Sequence, residues 1–144
     1  MYVGYEPTER KIVTSWRGSR TKRNTIEDIT FITEPYACSG CRIHAGFYFD
    51  YRSIERDLVT KVEELLSKYP VEKIVCTGHS LGAALSTING LEFALKYGDR
   101  LQVIVHNFGS PRIGNTELAH FLNAKIPVIF RVVHNKDIVP HVPP

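Results

Sequence analysis

Along residues 47–65 the apolar side chains Phe47, Tyr51, Ile54, Leu58, Val62 and Leu65 recur at steps of three and four. That spacing places them on one face of a helix, and Pro70 sets its limit because proline breaks the helical ladder. The β-branched run "EKIVCT" (72–77) follows and predicts a strand buried on both faces. After Gly82 the helical step returns at Leu85, Ile88, Leu91 and Leu95, with Gly98 as a stop signal. "LQVIVHNF" (101–108) predicts another buried strand, "SPRIGN" (110–115) a turn, "TELAHFLNAK" (116–125) a short helix and "PVIFRVVH" (127–134) a further strand. Nearer the start, "KIVTSW" (11–16) alternates apolar and polar residues and predicts a strand ending at Arg17-Gly18. The stretch 18–35 is polar, charged at its start and closed by Pro35. Strands alternating with helices predict an α/β fold, with a mostly parallel central sheet, flanking helices and right-handed crossovers. Functional residues are then expected at the carboxyl ends of the strands.

Composition narrows this little. The 144 residues suit a single domain, 1–144. At 43% hydrophobic and 23% charged, the chain has an ordinary globular composition. A formal charge of +3 is too small to imply a nucleic-acid partner. No apolar run approaches the ~20 residues that span a bilayer, and "MYVGYEPTER" (1–10) lacks the apolar core of a signal peptide. Localisation therefore stays open. Cys38 and Cys41 form a C-x-x-C pair without the further ligands of a zinc site. A local disulfide, pairing with cysteines outside this chain and free surface thiols are all compatible with that spacing. Cys76, in an apolar strand, is expected to be a small buried core residue.

The chemistry concentrates at the junction of strand 72–77 and the helix after it. Ser80 has Gly78 two places before it and Gly82 two places after, in the sequence Gly78-His79-Ser80-Leu81-Gly82. A serine hydroxyl becomes a useful nucleophile only when exposed and deprotonated by a base. A sharp strand-to-helix turn exposes it, and glycines either side remove the side chains that would collide. The helix entry also aims free N–H groups at the reacting centre, so the N–H of Leu81 is a candidate oxyanion donor. The plainer alternative is a glycine-lined turn with a capping serine. At the end of the last strand, Asp137 precedes Pro140 in "HNKDIVPHVPP" (134–144), a rigid setting in which a carboxylate could orient a histidine. A solvated turn aspartate is the alternative there.

"GHSLGAAL", "SWRGS", "RIHAGF", "FGSPRIGN" and "RVVHNKDIVPHVPP", taken together and in this order, resemble the core of the class 3 (fungal-type) triacylglycerol lipases. The resemblance runs from about residue 3 to residue 144. It implies an α/β-hydrolase fold and a Ser-Asp-His triad, with Ser80 as nucleophile and Asp137 as acid. It also implies Ser19 as an oxyanion-hole residue beside the Leu81 N–H, and residues 19–34 as a lid. No metal or cofactor is implied, and the partner implied is a lipid or ester substrate, with a lipid–water interface as a place where it could be met. Two departures stand out. Ala83 replaces a usual third glycine, and Thr25 occupies a lid position where relatives can carry a large aromatic. With Lys22, Arg23, Glu27 and Asp28 nearby, this lid offers less apolar surface to oil, which leaves esterase or phospholipase activity open.

The resemblance places the catalytic histidine tens of residues beyond the aspartate, whereas seven residues follow Asp137 here. Of the six histidines, His79 belongs to the turn itself and His44 matches a structural position. His106 and His120 are expected to pack, and His134 and His141 match non-catalytic positions. The expectation is a fragment of a longer protein, lacking that histidine and an N-terminal helical segment. The function expected is a serine carboxylic-ester hydrolase. A non-catalytic lipid-binding remnant is the alternative from another class. Reading "RGSRTKR" (17–23) as an anion-binding patch is a third and weaker one.

Overall fold

The computed structural model describes residues 1–18 and 32–142. Strands β1 (Tyr2–Glu6), β2 (Lys11–Trp16), β5 (Lys73–His79), β6 (Gln102–Phe108) and β7 (Val128–Val132) form one sheet in the order β1-β2-β5-β6-β7. β1 is antiparallel to β2, and the remaining pairs are parallel. β3 (Thr33–Pro35) and β4 (Arg42–His44) make a separate antiparallel pair. Helices α1 (Ala45–Lys68), α2 (Leu81–Tyr97) and α3 (Thr116–Lys125) supply the crossovers and the packing.

The long apolar stripe builds α1, which buries Phe47, Tyr51, Leu58 and Val62. His44 caps its start, with Nδ1 accepting from the Phe47 N–H at 3.3 Å and the ring stacked on Phe47. α2 packs against β2, β5 and β6 on one side and against α1 on another. Sandwiched this way, it is buried without a break from Gly82 to Leu91, polar residues included. Its Leu95, expected on the apolar face, is 45% exposed instead, while Phe93 and Tyr97 on either side of it are fully buried, so the buried face of the last turns does not include position 95.

The expectation of strands buried on both faces is corrected. Ile12, Trp16, Ile74, Cys76, Val103 and Val105 lie on the face that α2 covers and are buried. The opposite face carries Val75, Ile104, Phe108, Phe130 and Val132, and the last two are 53% and 48% exposed. His106 lies there too, exposed and edge-on to Phe130, not packed in a core. β-Branched composition reports a pleated apolar surface, not what lies over it.

Cys38 and Cys41 are joined as a local disulfide within the β3–β4 connection, which settles the open alternatives. Cys76 is buried, and burial pushes its thiol up to about 12, so it is an inert core group. Among the described residues no helix is long and apolar enough to cross a membrane.

Candidate active site

β5 runs straight into the turn at Ser80, and α2 starts with the next residue. Ser80 sits at φ 56°, ψ −126°, a backbone conformation that costs a non-glycine residue of order 1–3 kcal/mol. Its peptide groups hold the conformation in place. The Ser80 N–H donates to the Phe108 carbonyl at 3.0 Å, and the Ser80 carbonyl accepts from the Ala83 N–H at 2.9 Å.

The flanking glycines are required by contact. A Cβ on Gly78 would strike the carbonyl of Gly82 and stand 2.8 Å from the Ala83 nitrogen. One on Gly82 would strike the Trp16 carbonyl, 2.8 Å from the carbonyl carbon of Arg17. One on Gly18 would lie 2.8 Å from the His79 carbonyl oxygen. Three stretches of backbone, from the ends of β2 and β5 and the start of α2, therefore converge with no room for a methyl group.

Although Ser80 occupies the N-cap position of α2, its side chain makes no capping hydrogen bond. A serine retained for capping would spend its hydroxyl there. The Leu81 N–H belongs to the first helical turn, where N–H groups have no partner within the helix and the dipole favours negative charge. Leu81 and Ser80 are half-buried, and the His79 side chain is exposed on the opposite sheet face.

Asp137 comes to the same end of the sheet by a longer route. It is half-buried in the turn after β7, and its Oδ1 accepts from the Val139 N–H at 3.1 Å. Its Oδ2 lies 2.8 Å from the point a Gly109 Cβ would occupy, and His79 Nε2 lies 3.7 Å from that same point. Gly109, at φ 55°, thus leaves space bordered by the Asp137 carboxylate and the His79 ring. Arg131 ties the turn down. Its Nη2 donates to the carbonyls of Ser110 (2.9 Å) and Pro140 (2.7 Å), joining the segment after β6 to the segment after Asp137. Desolvation and the neighbouring Arg112 hold the Arg131 guanidinium below its ordinary value, and it stays charged.

Gly78, His79 and Gly82 thus form the turn around Ser80 and Leu81, and the Asp137 carboxylate and the His79 ring both border the Gly109 position. Ser19, with Lys22, Arg23, Thr25, Glu27 and Asp28, lies outside the described residues. Of the segment expected as a lid, residues 32–34 are described, and Thr33 and Glu34 lie in strand β3. Arg42 Nε donates to Thr33 Oγ1 at 2.8 Å and pins it against β4. His120, His134 and His141 are exposed, and among the described residues none of them is hydrogen-bonded to Ser80. The sequence reading missed Arg131, Gly109 and Asn107. Of these only the glycine at 109, within "FGSPRIGN", had left a signal, since the positive φ it adopts favours that residue type.

A family model described as Lipase (class 3) matches residues 13–144. A lipase of Rhizopus niveus is 34% identical over 99% of this chain and 37% of its own length. The secreted mono- and diacylglycerol lipase A of Penicillium cyclopium is 32% identical over 99% of the chain and 46% of its own. Among solved structures, lipase II from Rhizopus niveus superposes with a TM-score of 0.91, at 34% identity over 99% of this chain and 55% of that one. A triacylglycerol lipase whose catalytic centre is formed by a serine protease triad superposes at 0.87, with 34% identity over 95% and 53%. The chain thus spans under half the length of these curated relatives. The matching residues include the Ser80 turn and the strands that hold it in an α/β-hydrolase sheet, and the chain belongs to the class 3 lipases.

Proposed function

We propose that this chain carries the nucleophile and acid of a serine carboxylic-ester hydrolase acting on lipid esters. Ser80 Oγ attacks the ester carbonyl carbon, and its proton passes to a histidine base. The tetrahedral oxyanion is held by the Leu81 N–H and by Ser19. Collapse breaks the bond to the alcohol, which leaves with the proton from the base, and Ser80 keeps the acyl group. Water, deprotonated by the same base, attacks the acyl-enzyme and releases the acid. Asp137 orients the histidine and stabilises its cation.

One observation carries the reading: a non-glycine residue is held at φ 56° on a strand-to-helix turn, with its hydroxyl left out of the cap. Strain of that kind persists only where surrounding contacts over-determine it. The similarity to a lipase with a serine-protease-like triad supports the same roles. The test is a fluorophosphonate probe on the full-length protein, with the adduct mapped by mass spectrometry. Stoichiometric labelling at Ser80, lost in Ser80→Ala, is the expected result. A full-length protein that binds lipid but leaves Ser80 unlabelled is a lipid-binding remnant, and the proposal fails.

A further inference from the structure

The first turn of α2 is docked on the sheet by a buried polar cluster that burial alone does not require. Asn107, 2% exposed, stands on β6 directly across from Gly78 of β5, on the face that α2 covers. Its Nδ2 donates to the Ala83 carbonyl at 3.0 Å and to the Thr87 hydroxyl, and its Oδ1 accepts from the Ser86 hydroxyl. The same carbonyl lies within donating distance of the Ser86 and Thr87 hydroxyls, at 3.0 and 2.8 Å, so the single Ser86 proton has the Ala83 carbonyl as a second acceptor beside Asn107 Oδ1. The Ala83 N–H in turn donates to the Ser80 carbonyl at 2.9 Å.

Ser86 and Thr87 belong to α2, so their bonds to Ala83 are internal to the helix. Asn107 comes from the sheet. Its link to Ala83 therefore fixes where the first turn sits relative to the strands, and that turn contains Leu81. An apolar residue at 107 would leave Ser86 and Thr87 still satisfied by Ala83, so it would orphan neither hydroxyl. What such a residue could not supply is direction, since apolar packing is not directional. In the buried, low-dielectric setting around Asn107 a satisfied amide specifies one geometry.

We propose that Asn107 is a positioning residue: it docks the first turn of α2 on β6 and so aims the Leu81 N–H at the oxyanion formed on Ser80. This rests on the reading of Ser80 as nucleophile. Aim matters because one oxyanion donor is worth ~10²–10³ in rate, and a misplaced donor forfeits part of it.

The test compares Asn107→Leu with the parent in the full-length protein. Fluorophosphonate inactivation is resolved into kinact and KI, and amide hydrogen exchange is read at Ala83 and Ala84. The expected result is a kinact lower by roughly 10–100-fold at unchanged KI. Exchange should be faster at those two amides, and unchanged along β5. Thr87→Val, which keeps the Asn107–Ala83 link, is expected to keep its kinact. Should the leucine variant melt early, Asn107→Ser leaves a hydroxyl on β6 and is expected to show a smaller loss of kinact. An unchanged kinact in either folded Asn107 variant, with Ser80 still labelled, overturns this proposal alone. No Ser80-dependent labelling in the parent overturns the nucleophile reading and this proposal with it.

Discussion

The turn that carries Ser80 and the turn that carries Asp137 meet at one end of the sheet, yet they are held in different ways. At Ser80 backbone presses on backbone, and Gly18, Gly78 and Gly82 are the residues that allow it. Behind it α2 is buried continuously from Gly82 to Leu91. The strain at Ser80, of order 1–3 kcal/mol, is matched by burying one large apolar side chain, worth about 1.5–3 kcal/mol. Ile88, Leu91 and Phe93 of α2 are each fully buried, so the helix offsets the strain with margin. At Asp137 the neighbours from 131 to 136 are exposed, and hydrogen bonds do the holding. A site fixed by steric exclusion is stiff and leaves glycines in the sequence. A site fixed by hydrogen bonds across distant segments leaves little trace and yields more easily.

The comparison can be broken by substitutions of graded effect in the full-length protein. Asp137→Asn keeps the shape of the second turn and removes the charge proposed to orient a histidine, so on that proposal kcat should fall roughly 10⁴-fold. Ester kinetics at saturating substrate measure this, and a loss under tenfold would remove Asp137 from the triad. Gly78→Ala attacks the stiff turn, because its methyl group would press on the Gly82 carbonyl. Overpacking of this kind costs about 1–3 kcal/mol, read as a lower midpoint in urea unfolding. A midpoint equal to the parent's would show that the turn can yield. Arg131→Met attacks the yielding turn, where one charged donor serves Ser110 and Pro140. Removing it should lower kcat by ~10-fold, the scale of one charge-assisted hydrogen bond. KM should hold, and Arg131→Lys should recover part of the loss. A change confined to melting temperature would make Arg131 structural only.

The same contrast explains what could be read from the sequence. The steps from Phe47 to Leu65 and the run 116–125 gave helices because burial on one face writes a period into the chain. The glycine spacing around Ser80 was legible for the reason that makes the turn stiff. β1 was not, since "YVGYE" is an edge strand, half-exposed and interrupted by glycine. Its pairing is set by the turn back to β2, where the Glu6 carboxylate accepts from the N–H groups of Thr8 and Glu9. β3 ends on Pro35, a residue that sheets accept at an edge but that reads as a terminator. The buried roles of Asn89 and Asn107 were also invisible. Their partners stand far away in sequence, Thr14 and Trp16 for one and the first turn of α2 for the other. Which sheet face would be covered was not legible either, because Phe130 and Val132 look like core residues in any one-dimensional pattern.

The central claim is that the Ser80 turn exists to present a nucleophile. Turnover of a p-nitrophenyl ester by the full-length protein and by its Ser80→Ala variant, with melting temperature followed in parallel, tests this most directly. The account predicts that Ser80→Ala abolishes turnover and leaves the melting temperature at or above the parent's, since alanine removes one hydroxyl from a turn that backbone contacts already hold. Near-normal ester turnover by a folded Ser80→Ala protein would contradict it.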